Sequence, residues 1–409
     1  MCIVFFTSTA QYSLIIASNR DEFLARPTTP AAWHHWDPTH LAHQPSPTHP
    51  VLSGLDLSAG GTWLGLSFYQ PHPGSTTADG TIRFATLTNF TESIPPAPRP
   101  SRGNLTRDFL DLDCARSSGS RPQDGGSLDA YLEQVEATKS AYAGFNLLVG
   151  ELSFPSAAPA PLLSSSSSSP ASASPDPTVR LGYISNRETP TKRARVLPPL
   201  GTAGHVRGLS NATLEVEEGE VEWPKVKSGA AAVEGVATRV EDERRSEGLR
   251  DDEVEERLAR GLYDALSTAH VSPIEHRAHL RHTVLVRPLY FDPSAPMPDD
   301  APPFPPPSSS APSTSALPPS APSSPSHSAP SLGPPEAPTP DPTAAGAHWY
   351  ATRVQSLVLV ERRTGRVVVR ERDAFVLDEA TRRPVWSGEE RVFEVRRVTG
   401  GAGARERSG

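Results

Sequence analysis

The chain has 409 residues, enough for one large domain or two ordinary ones, and a formal net charge of −8. That balance argues against a general nucleic-acid binder, which presents a basic face. Two cysteines, Cys2 and Cys114, cannot build a disulfide framework and point to a reducing, cytoplasmic setting. No run approaches the roughly 18 apolar residues of a membrane span, and no basic n-region or cleavage site marks a secretory signal.

In chain order, "CIVFFTS" and "LIIAS" are short β-rich runs separated by a polar break, which predicts a hairpin ending at "NRDEF". Further strands are expected at "TWLGLSF" (62–68), "IRFATLTNF" (82–90), "FNLLVGEL" (145–152), "VRLGYIS" (179–185) and "HTVLVRPLYF" (282–291). "SLVLVERRTGRVVVRER" reads as two strands around Thr364-Gly365, and "RVFEVR" closes the set. Between them, "SRGNLTRDFL" predicts a helix capped by Ser101, with Leu105, Phe109 and Leu110 on one face. "SLDAYLEQVEA" predicts a second, capped by Ser127. "DEVEERLARGLYDALS" puts Val254, Leu258, Leu262 and Leu266 on one stripe. The stretch "EDERRSEGLRDDEVEER" mixes both signs, as a solvated helix does. Strands in runs with helices inserted in blocks fit an α+β layered domain better than alternating βαβ units.

The 45 prolines are concentrated in a few places. Ser/Pro/Ala tracts at 155–177 and 292–347 have too little apolar surface to offset the entropy of ordering, and are expected as disordered insertions. The remainder is expected to form a single domain over 1–400, with a flexible tail at 401–409.

Cys2 directly follows the initiator methionine. Aminopeptidases generally remove Met before a small residue, which would leave a free α-amine on the cysteine itself. Such an amine has a pKa of about 7.7–8.0 and can serve as a base near neutrality. A thiol with a pKa of about 8.5 needs such a base, and this is the N-terminal nucleophile arrangement with cysteine in place of Thr or Ser. The plainer reading is a small buried hydrophobe in an edge strand, and a third is reversible acylation. The segment Asn19–Glu22 is either a turn bonding its own backbone or, if the hairpin returns to Cys2, a polar cluster at the thiol. In the second case Asp21 can accept from the α-ammonium, and Arg20 can meet a carboxylate.

"MCIVFF…LIIASNRDEFLARPTTPA", followed in order by "GGTWLGLS", "FATLTNFTE", "SRGNLTRDFL", "YAGFNLLVGE", "GYISNRE" and "WYATRVQSLVLV", resembles the NRDE family, whose animal members are called transport and Golgi organization protein 2. The resemblance spans nearly the whole chain. It implies an N-terminal nucleophile hydrolase-like αββα sandwich of two antiparallel sheets between helical layers. A remoter likeness, to the choloylglycine hydrolases and penicillin V acylases, implies roles for single residues. Cys2 would be the nucleophile, Asp21 would orient its amine, and Asn89 and Asn211 would hold an oxyanion. Asn19, Arg20 and Arg353 would line the substrate side. The resemblance further implies a role in Golgi organization, protein secretion and haem or lipid handling, in the cytoplasm or at the Golgi or mitochondria. The alternative it leaves is an active amidohydrolase on a non-peptide amide. The expected partner is thus a small amide, acyl or haem-like ligand. No metal or resident cofactor is expected, and haem enters only as a candidate ligand. The family block "YGTRSST" reads "YATRVQS" here, so Ala351, Val354 and Gln355 would alter ligand preference if that block lines the pocket. The run "WHHWDPTHLAHQPSPTH" carries His34, His35, His40, His43 and His49 but matches no standard zinc spacing, and is read as a polar, aromatic loop.

Overall fold

The computed structural model describes residues 2–34, 36, 50–69, 81–90, 99–111, 127–154, 177–189, 191–201, 205–215, 221–270, 274, 277–291, 348–398 and 401–407. The strands are, in order, β1 (Ile3–Thr7), β2 (Tyr12–Phe23), β3 (Ala32–His34), β4 (Val51–Ser53), β5 (Leu64–Tyr69), β6 (Thr81–Asn89), β7 (Phe145–Ser153), β8 (Thr178–Ser185) and β9 (Arg195–Val196). They continue with β10 (Arg207–Leu209), β11 (Leu289–Phe291), β12 (His348–Glu361), β13 (Val367–Asp373), β14 (Phe375–Leu377), β15 (Pro384–Trp386), β16 (Glu390–Val398) and β17 (Gly401–Arg407). The helices are α1 (Gly103–Leu110), α2 (Leu128–Thr138), α3 (Pro224–Glu247) and α4 (Asp251–Leu266).

Among the described residues two large antiparallel sheets result, beside a small two-stranded one of β14 and β15. One runs β10-β1-β2-β12-β13-β16-β17, with β11 also on β12; the other is a meander from β3 to β9. The period-2 alternation of strands explains the continuous apolar runs, because both faces of each sheet are buried. From the first sheet Val4, Phe6, Leu14 and Ile16 point inward and meet Leu66, Phe84, Leu148 and Tyr183 of the second. The intervening Ile3, Phe5, Ile15 and Ala17 point the other way, onto Val233 and Val236 of α3 and Leu258 and Leu262 of α4. On the far side Ala85, Leu147 and Val149 pack on Leu105 and Phe109 of α1 and Leu132 of α2. The layers are therefore helix, sheet, sheet, helix, an α+β architecture.

The expected hairpin is β1–β2, with Ile3 opposite Asn19. Ser127 caps α2, accepting from Ala130 N at 3.3 Å. Ser101 does not cap α1: the flanking residue is Arg102, in helical conformation, with no side-chain cap. The charged stretch is two helices, since Gly248 takes φ 67° and ends α3. Of the run 282–291 only Leu289–Phe291 is strand. Pro288 has no N–H, and the backbone before it bonds elsewhere: Leu285 N to Thr268 O at 2.9 Å, and Val286 O from Thr352 N at 2.9 Å. Residues 401–407, expected as tail, pair with β16. The two low-complexity tracts lie outside the described residues, apart from Pro177. Of the histidine run, His34 is buried, with Nε2 2.8 Å from Ser53 Oγ. His35, His40, His43 and His49 lie outside the described residues. Trp33 packs between the sheets, 5.2 Å from the ring of Phe68.

Candidate active site

Antiparallel pairing of β1 and β2 returns the chain to its start, so Cys2 lies beside the end of β2. Its thiol points to the Asp21 carbonyl, Sγ to O 3.9 Å. It opens into a cavity of about 660 Å³, lined also by Arg20, Asp21, Trp63 and Asn89 and rimmed by Arg26, Asp56 and the start of α1.

Alternation along β2 sends neighbouring side chains to opposite faces. Arg20 follows Leu14 and Ile16 toward the gap between the sheets. Its guanidinium carbon sits 4.0 Å over the Trp63 ring, and its Nη1 is buried with no hydrogen-bond partner. Burial pushes the guanidinium below its ordinary pKa, against the pull of Glu22, Cys2 and Asp56. Asn19 and Asp21 belong to the helix-facing register. Asp21 Oδ1 accepts from Thr352 Oγ1 at 2.6 Å, and Tyr350 Oη donates to the Asp21 carbonyl at 3.2 Å.

The other half of the site comes from the second sheet and from the segment after β10. Ser210 Oγ donates to the Cys2 carbonyl at 2.8 Å. Asn211 Nδ2 donates to the Asn89 carbonyl. This segment is clamped from beneath: Asn146 Nδ2 lies 3.0 Å from Ser210 O and 2.9 Å from Ala212 O, and Tyr183 Oη donates to Asn146 Oδ1 at 2.8 Å. Thr88 Oγ1 adds a bond to Ser210 O at 2.5 Å. These groups are buried, and each bond is electrostatically stronger there than in water. Burial drives the Tyr183 hydroxyl well above its usual pKa, which keeps it a donor.

Cys2, Asp21, Asn89 and Arg20 thus converge on one cavity, with Asn211 bonded to its wall. Asn19 does not reach it. Its Nδ2 is used by Leu266 O at 2.8 Å and Val284 O at 2.9 Å, so it ties β2 to the helix layer. Arg353 is also turned away, in the β12 bulge opposite β2, where it donates to Arg26 O at 2.6 Å. Burial, then repulsion from Arg20, lowers its pKa to about 10. Ala351, Val354 and Gln355 do not line the cavity; Gln355 bonds Asn19 and Arg372 instead. Sequence reasoning missed Trp63, Ser210, Asn146 and Thr352. Only Trp63 carried a local signal, a lone aromatic after paired glycines. Among the described residues no cluster of His, Cys, Asp or Glu could hold a metal, and no helix is long and apolar enough to cross a membrane.

Two stacked antiparallel sheets between helical layers, with a cysteine at the head of the first strand facing a cavity, define an α+β protein. A family model described as Transport and Golgi organisation 2 matches residues 1–375, and the chain belongs to that family. The Transport and Golgi organization protein 2 homolog of Bos taurus is 33% identical over 162 residues, 37% of this chain and 46% of that protein. The Homo sapiens homolog is 32% identical over the same shares, and Transport and Golgi organization protein 2 of Drosophila melanogaster is 29% identical over 161 residues. The chain spans about half the length of the curated relatives it matches.

Proposed function

We propose that the cavity takes a small molecule with an amide or acyl carbonyl and that Cys2 is its nucleophile. The carrying observation is the cavity-facing thiol, 3.9 Å from the Asp21 carbonyl, with Arg20 and Asn89 on the same walls. In a chain starting at Cys2, the α-amine takes the thiol proton as sulfur attacks the carbonyl carbon. The Asn89 amide stabilises the oxyanion, and the amine's proton passes to the leaving nitrogen as the C–N bond breaks. Water then attacks the thioester, gives its proton to the same amine, and the thiol is released. An oxyanion donor of this kind contributes about 3 kcal/mol. Arg20, a cation with a free N–H over an aromatic ring, suits a carboxylate or another planar anion on the ligand.

A second reading is a binding protein in Golgi organization, secretion, and haem or lipid handling. It is favoured by Asn211, whose amide is already committed to the Asn89 carbonyl; the relatives' names support its Golgi part alone. Intact-mass analysis and N-terminal sequencing of the protein from its native source come first. A chain beginning at Cys2 with a free amine is then assayed on a panel of acyl amides. The expected result is hydrolysis that Cys2→Ala lowers by about a thousandfold with the melting temperature kept. Hydrolysis surviving in Cys2→Ala overturns the nucleophile. Retained Met1 or an acetylated amine leaves the binding reading, in which ligand binding survives Cys2→Ala.

A further inference from the structure

Lys225 is fully buried, at 0% exposure, in the first turn of α3. An ammonium there is costly unless it is paired. The seat of α3 is fixed by close contacts: a Cβ on Gly229 would fall 2.2 Å from Phe5 Cζ, and one on Gly208 would fall 2.7 Å from Val226 Cγ1. Lys225 is therefore pressed against the β10–β1 edge, on the face to which Asp21 points. Its Nζ lies 5.7 Å from the Trp223 ring centroid, and the other cation on that ring is Arg281, at 4.9 Å. Asp21 is held in turn by Thr352, which is completely buried and also accepts from Val286 N at 2.9 Å.

We infer that Lys225 is a positioning residue of the Cys2 site: from behind the β1–β2 hairpin it pairs with the Asp21 carboxylate and gives the thiol a positive charge that does not depend on the chain's own amino group. The inference rests on Cys2 being the reacting group. Burial lowers the Lys225 pKa to about 8, against the attraction of Asp21 and then Cys2. The charge is therefore present below about pH 8 and lost above it.

The test is the rate of Cys2 alkylation by iodoacetamide between pH 6 and pH 10, read by peptide mass spectrometry, which separates Cys2 from Cys114. Lys225→Met removes the cation behind the hairpin and is expected to alkylate about tenfold more slowly at pH 7. Lys225→Arg keeps a charge throughout this range. It is expected to retain most of the pH 7 rate and to alkylate faster than wild type between pH 8 and pH 9, where the wild-type lysine has lost its charge. Circular dichroism reports folding, and if Lys225→Met does not fold, the Lys225→Arg profile carries the test. A Lys225→Met profile equal to wild type, or a ratio of Lys225→Arg to wild-type rates that stays constant from pH 7 to pH 9, overturns the inference. Alkylation that follows Lys225 without amide hydrolysis removes the hydrolase reading alone. Hydrolysis with alkylation indifferent to Lys225 removes this one alone.

Discussion

Glu371 sits under two opposing influences. It is almost wholly buried near the end of β13, where Oε1 accepts from Ala31 N at 2.6 Å. Arg391 reaches the same oxygen at 3.5 Å but holds Asp373 more closely, at 2.6 Å. Burial wins and raises the carboxyl to about 7. Between its ordinary value near 4.5 and 7 the folded chain keeps a proton that the unfolded chain releases. The contribution to stability is thus whole below about pH 4.5 and falls as pH rises through 7, by about 3 kcal/mol at most. Glu371→Gln keeps an acceptor for Ala31 and removes the titration. Urea midpoints at pH 5 and pH 8 should show the variant gaining on wild type at the higher pH; parallel midpoints would exclude burial as the cause.

The element on which the site leans most is α3. Because a Cβ on Gly229 collides with the Phe5 ring, Gly229→Ala must lift the helix or displace Phe5, and costs about 1–3 kcal/mol. A drop in the melting temperature checks this; an unchanged value would mean that the helix rides freely over the strand. This helix was also the hardest to read in the sequence. Its core side is made of Val226, Val233, Val236 and Val240, spaced among Lys, Gly and Ala, with no wide apolar stripe. By contrast, the β1–β2 hairpin, α2 and α4 announced themselves through two apolar β-rich runs around a polar break, a serine cap and a leucine stripe. Half of the candidate site was legible because Cys2, Arg20 and Asp21 are joined by one hairpin. Asn146, Thr352 and Lys225 were not, because each reaches its partner across the fold. Asn19 misled for the same reason: the carbonyls it serves, Leu266 and Val284, lie far along the chain.

For the whole molecule, the pairing at strand ends decides what the long tracts can do. Ser153 is the register partner of Thr178, and Phe291 that of His348. Each tract therefore fills the place of a hairpin turn. Closing such a loop costs only about 0.6 kcal/mol more for each doubling of length. Replacing 292–347 with Asn-Gly should leave circular dichroism unchanged and the melting temperature equal or higher; an unfolded product would make the tract part of the fold. The two roots also lie in different neighbourhoods. Residues 155–177 leave from the end of β7 opposite to the Phe145–Asn89 pair, whereas 292–347 leave beside Tyr350, which bonds Asp21. The two tracts thus join the fold at two separate places. One leaves at the end of β7 away from Asn89, remote from the cavity. The other leaves one hydrogen bond from Asp21, so a change of tension or charge at that root reaches the cavity wall through Tyr350.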